Sequence, residues 1–93
     1  MEIKREAMAG TLESSDVMVT VSPHSNELQI RLMSNVEDYY GDSIRETISS
    51  VLMEMGVKTG CIEVVDRGAL DCTIRARVTT AIRRAGREEE VTI

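Results

Sequence analysis

A chain of 93 residues with 42% hydrophobic and 29% charged side chains makes one globular domain, with room for a single modest core and little for an enclosed catalytic cleft. Its formal net charge of −5 argues against nucleic acid and other polyanions as partners. Two tyrosines and no Trp or Phe leave no set of stacking platforms for single strands and imply an aliphatic core with six Met as filler.

The N-terminus, Met1-Glu2-Ile3-Lys4-Arg5-Glu6, has no apolar signal-peptide region, and no stretch reaches the length of a membrane span. The expected location is the cytoplasm. There, Cys61 and Cys72, which form no C-x-x-C, stay as thiols.

Along the chain, residues 7–12 read as a short edge strand. From Asp16 to Val21, Val17, Val19 and Val21 alternate with Met18 and Thr20, the period of a half-buried strand. The polar run Ser22-Pro23-His24-Ser25-Asn26 is a turn by composition. A second alternating run, 27–32, is expected to complete a hairpin with the first. Ser34-Asn35 can cap a helix, in which Val36, Tyr40, Ile44, Ile48, Val51, Leu52 and Met55 draw one apolar stripe. Gly56 stops it. Residues 61–66 form another β segment, punctuated by Arg67-Gly68.

The last segment carries two periods. Leu70, Cys72, Ile74, Ala76 and Val78 alternate as in a strand, yet Leu70, Ile74, Val78, Ala81 and Ala85 also make a helical stripe. The Ala-rich run 80–85 favours a helix over 69–85. The expected fold is α+β: a two-layer, mostly antiparallel β-sheet with two helices packed on one face, in the order β-β-β-α-β-α. Residues 1–87 form the domain, and 88–93, with Glu88-Glu89-Glu90, an acidic, flexible tail.

Candidate chemistry is sparse. The only histidine, His24, lies in the turn beside Pro23, so no nucleophile has an evident base. Cys61, Cys72 and His24 lack the spacing of a metal site, and Gly10 and Gly41 belong to no phosphate-binding loop pattern. Two serines stand out. Ser43, in Gly41-Asp42-Ser43-Ile44, copies the Asp-Ser-Leu of phosphopantetheine-type acyl carriers, but falls about two turns inside a helix rather than at its start. Ser14, in Gly10-Thr11-Leu12-Glu13-Ser14-Ser15-Asp16, sits at a turn between two strand-like runs, where a hydroxyl is presented on a rigid scaffold.

The run Ala9-Gly10-Thr11-Leu12-Glu13-Ser14-Ser15-Asp16-Val17-Met18-Val19 resembles the signature of the citrate lyase acyl carrier proteins, the gamma subunits of that complex. Gly41-Asp42-Ser43-Ile44-Arg45 and the run from Asp66 to Val78 agree with it, and the likeness extends to about residue 87. The resemblance implies that Ser14 carries 2'-(5''-phosphoribosyl)-3'-dephospho-CoA through a phosphodiester, as a covalent prosthetic group. It implies a non-catalytic carrier subunit, a phosphoprotein of citrate fermentation. Its partners are then the citrate lyase alpha (acyltransferase) and beta (citryl-lyase) subunits and a prosthetic-group-loading transferase. No nucleic acid, membrane or metal enters this picture, and the chain itself has no catalytic residue.

Three further readings follow from the residues. Glu13 and Asp16 dock the transferase or its metal, or simply solvate the loop. Arg77 and Arg84, seven apart on one face of the last helix, dock a catalytic subunit, hold the arm's phosphates, or face solvent. In the rival class, a non-carrier adaptor, the long helix docks a partner through Tyr39 and Tyr40.

Overall fold

The computed structural model describes residues 1–86, the side chain of Glu37 excepted. The elements follow the order β1 (Ala7–Gly10), β2 (Val17–Ser22), β3 (Leu28–Ser34), α1 (Glu37–Glu54), β4 (Gly60–Asp66) and α2 (Asp71–Gly86). The expected α+β order is therefore met, and the segment with two periods is a helix. The proposed tail, 88–93, and Arg87 lie outside the described residues.

The four strands form one sheet in the order β1-β2-β4-β3. β1 and β4 both pair antiparallel with β2, whereas β3 pairs parallel with β4. The expected hairpin between β2 and β3 does not form, because β4 inserts between them. The connection 23–27 does close locally, with His24 Nδ1 accepting the backbone N–H groups of Asn26 and Glu27, each at 3.2 Å. The run Cys61-Ile62-Glu63-Val64-Val65 is rich in β-branched apolar residues, and β4 takes the interior position, paired on both sides.

Alternation then builds the core. Val17, Val19 and Val21 on β2 and Ile62 and Val64 on β4 face the helices and are almost wholly buried. Ile48, Val51 and Leu52 of α1 and Ile74, Val78, Ala81, Ile82 and Ala85 of α2 close over them. Burying each large aliphatic side chain of this set contributes roughly 1.5–3 kcal/mol. Met18, Val65 and Met33 lie side by side on the opposite face of the sheet.

α1 ends as its glycine foretells. Gly56 takes φ 66°, Val57 N–H donates to Leu52 O at 2.9 Å, and Gly56 N–H donates to Met53 O at 3.1 Å, the paired bonds of a Schellman motif. Its start differs from expectation. The N-cap position is Val36, which offers no side-chain bond; Ser34 is the last residue of β3, and its Oγ accepts from Val36 N–H at 3.1 Å. Tyr40, placed by periodicity on the buried stripe, is 60% exposed.

Among the described residues, no helix is long and apolar enough to cross a membrane, and no cluster of His, Cys, Asp and Glu could hold a metal ion.

Candidate functional site

β1 and β2 are antiparallel neighbours joined by residues 11–16, so this loop projects from one end of the sheet. Its entry requires a glycine. Gly10 has φ 96°, and a Cβ there would lie 1.8 Å from Val17 O across the ladder. Within the loop, Asp16 N–H donates to Glu13 O at 3.1 Å, closing a β-turn whose two corner residues are Ser14 and Ser15. Ser15 takes φ 64°, the one non-glycine residue in the left-handed region among those described. That is a strained position for a side chain other than Asn or Asp, and such strain persists where surrounding structure imposes it.

Asp16 imposes it. Its carboxylate, only 15% exposed, accepts Thr11 Oγ1 at 2.6 Å, Val17 N–H at 2.7 Å, and both Nε and Nη2 of Arg77 at 3.3 and 3.2 Å. Thr11 Oγ1 in turn accepts Glu13 N–H at 3.2 Å. These donors hold the Asp16 carboxyl at about 2, against an ordinary value of 3.8; the short Thr11 bond contributes most, then the Val17 amide, with Arg77 behind them and partial burial opposing. Asp16 is thus an internal fastener. Its oxygens are occupied, and the reading of Asp16 as a docking or metal-directed carboxylate does not hold. Glu13 stays exposed.

A second loop locks the first. Ser15 N–H donates to Arg67 O at 2.8 Å, and Arg67 N–H donates to Asp16 O at 2.9 Å. The loop after β4 is itself set by Asp66, which is 1% exposed: Oδ2 accepts Ser34 Oγ at 2.8 Å and Oδ1 accepts Ala69 N–H at 2.9 Å. The result is an exposed Ser14 whose hydroxyl has no hydrogen-bond partner among the described residues, on a backbone with little freedom.

The other sequence candidates fall elsewhere. Ser43 is exposed on α1, six residues after the helix begins, far from the helix-start placement its motif would need. Tyr39 is 87% exposed and meets Tyr40 at 6.5 Å between ring centroids. His24 is tied to its own turn at the far end of β2, so about 17 Å of strand separates it from the Ser14 loop. The Arg77–Arg84 face is not a free basic surface. Arg77 holds Asp16, and Arg84 Nη1 donates to Met8 O at 2.8 Å, so both arginines brace α2 against β1 and its loop. Thr11 and Arg77 are the positioning residues that sequence reasoning missed; Arg77 was noticed for its charge, but its partner lies 61 residues away.

Because the Asp16 pKa is depressed in the fold, its contribution to stability is complete above about pH 4 and is lost as pH falls through about 2. Removing donors should raise that pKa. Thr11→Val is expected to raise it more than Arg77→Met, since the Thr11 bond is shorter than either arginine bond. Carboxyl NMR titration of Asp16 checks the ranking, and an unshifted value in both variants would refute the clamp.

Comparison with known proteins places the chain in a class. The family model described as "ACP: Malonate decarboxylase delta subunit (MdcD)" matches residues 4–85. A solved Pseudomonas malonate decarboxylase hetero-tetramer in complex with malonate contains a chain of the same fold: TM-score 0.79 at 18% identity, over 90% of this chain and 87% of that one. The relatives narrow the class. A protein of Streptococcus mutans is 50% identical over 96% of this chain and 88% of its own length, and one of Halothermothrix orenii 49% identical over 97% and 96%. One of Latilactobacillus sakei is 49% identical over 96% and 89%. All three are named citrate lyase acyl carrier protein, and the chain belongs to that family.

Proposed function

We propose that the chain is the acyl carrier subunit of a citrate lyase, loaded on Ser14 with 2'-(5''-phosphoribosyl)-3'-dephospho-CoA through a phosphodiester. The observation that carries the proposal is the exposed, unpartnered Ser14 hydroxyl at the corner of a clamped turn, in a chain half identical to named carriers of that complex. The residues present fit such a group. Ser14 is accessible, and the guanidinium of neighbouring Arg67 is exposed without a partner among the described residues, free to face a phosphodiester.

When bound, the group supplies a thiol that holds acetyl or citryl as a thioester while citrate is cleaved to oxaloacetate and acetate. The chain's own contribution is presentation. A stiff loop tethers the thioester near the alpha (acyltransferase) and beta (citryl-lyase) subunits at high effective concentration. With His24 held in its own turn at the far end of β2, the base that activates Ser14 during loading must come from the transferase. The acidic body is suited to association with basic partner surfaces in the cytoplasm.

Reconstitution tests this. Chain made without its loading enzymes should fold cooperatively yet support no citrate cleavage with the alpha and beta subunits, whereas loaded chain should restore turnover. Cleavage sustained by strictly unmodified chain would refute the carrier function.

A further inference from the structure

Next to the Ser14 loop the core is left open. Where α1 and α2 both begin, a cleft of about 350 Å³ lies between Val36, Tyr40 and Ile44 on one side and Ala69, Leu70 and Ile74 on the other. That is at the lower end of the range of small-molecule sites. Tyr40 and Leu70 flank it while 60% and 71% exposed, an apolar rim that packing within the chain does not cover. The lining groups that carry charge at neutral pH are two carboxylates, and both have donors. Asp66 is held by Ser34 and Ala69, and Asp71 accepts from Thr47 Oγ1. No Lys or Arg lines it.

The cleft is physically continuous with the attachment loop. Arg67, which exchanges backbone hydrogen bonds with Ser15 and Asp16, stands between Asp66 and Gly68, two residues of the cleft wall. One chain step on each side of such a bonded pair puts Ser14 within about 13 Å of Gly68. Anything anchored at Ser14 by a flexible chain experiences the cleft at millimolar effective concentration, so even weak affinity fills it.

We infer that this cleft is a resting site for the uncharged, amide-and-thiol end of an arm on Ser14, with Arg67 at its entrance facing the phosphodiester. The inference rests on the carrier function proposed above. Apolar walls and carboxylates select by charge. A free thiol or an acetyl thioester enters, shielded from water, whereas an acyl group bearing its own carboxylates is repelled by Asp66 and Asp71 and leaves the arm extended toward a partner. The cleft thereby distinguishes the two loaded states of one carrier.

The test uses full-length loaded chain carrying Cys72→Ser, because Cys72 is exposed and Cys61 is buried, so that the arm thiol alone reacts. Intact mass first establishes loading; a chain that never gains mass overturns the carrier function, and the resting site with it. In loaded chain, alkylation of the arm thiol by iodoacetamide should run about fivefold slower than for free coenzyme A, as for an arm at rest about four-fifths of the time. Leu70→Glu, at an exposed wall position, should restore the free rate. Tyr39→Glu, which is more exposed and does not line the cleft, should leave it slow.

Amide NMR shifts between unloaded and loaded chain should cluster at Tyr40 and Gly68 to Leu70. They should persist with an S-acetyl arm and vanish with an S-succinyl arm. Shifts confined to residues 11–17, with a thiol reacting at the free rate in correctly loaded protein, would overturn the resting site while leaving the carrier function intact. Equal shifts for acetyl and succinyl forms would overturn the charge selection.

Discussion

Ser14→Ala should abolish covalent loading, while Ser15→Ala and Ser43→Ala should be loaded like the wild type. The chemistry requires a hydroxyl that an enzyme can reach, and three serines compete. Ser14 occupies the first corner of the Glu13–Asp16 turn, exposed and with no internal partner for its hydroxyl. Ser15 is also exposed, but its backbone is held at φ 64° with its N–H on Arg67 O, so its place in the loop is structural. Replacing its side chain leaves the turn's bonds in place, since they run through main-chain groups and the side chains of Thr11 and Asp16. Ser43 sits in mid-helix, where its carbonyl accepts Thr47 Oγ1 at 3.1 Å, and it lines the cleft rather than belonging to the motif loop. Incorporation of the arm by the loading transferase, followed by intact mass, reads the result. Loading of Ser14→Ala through Ser15 would show that the two hydroxyls of the turn are interchangeable.

Gly10→Ala should be among the most damaging single substitutions in the domain, costing about 3 kcal/mol or more. A methyl group at Gly10 would meet Val17 O at 1.8 Å and Val17 C at 3.0 Å, both backbone, and Arg77 Cδ at 3.3 Å. Neither strand can give way without parting the Gly10–Met18 pair, the rung nearest the Ser14 loop. Gly68→Ala separates this clash from backbone strain. Its φ is 86°, equally left-handed, but nothing lies within 4 Å of the added carbon, so about 1 kcal/mol is expected. For a chain of this size the difference corresponds to a melting temperature lower by roughly 10 °C in Gly10→Ala than in Gly68→Ala. Equal melting temperatures would mean that sterics at Gly10 do not shape the loop.

What the sequence disclosed depended on the range of the interaction. Local periodicity located β2 and α1, and Gly56 marked a helix end that the Schellman bonds bear out. The competing periods after Ala69 were settled by Ala-rich composition in favour of the helix that forms. Pairing was another matter. Alternation in 16–21 and 27–32 marked two strands but not their order, because the competitor for the edge of β2 is β4, supplied from beyond α1. Tyr40 keeps the helical period yet emerges into solvent, because what it faces across the first turns of α1 is the cleft beside Ala69 and Leu70 rather than a packed wall.

The candidate site was legible in part. Turn chemistry and the motif resemblance marked the loop around Ser14, but composition and spacing said nothing of an arm. The clamp on that loop was hidden, since Asp16 and Arg77 each read as ordinary surface charges until the fold joined them.

The central claim is that Ser14 carries a covalent arm, and mass analysis of the chain purified from its native host tests it most directly. Intact mass should exceed that of the sequence by one phosphoribosyl-dephospho-coenzyme A unit, as thiol or acetyl thioester. Trypsin leaves Ser14 in the fragment from Glu6 to Arg31 together with Ser15, Ser22 and Ser25, so backbone fragmentation must place the adduct. The account predicts the whole added mass on Ser14. An unmodified chain from cells actively cleaving citrate, or an adduct on any other residue, would contradict it.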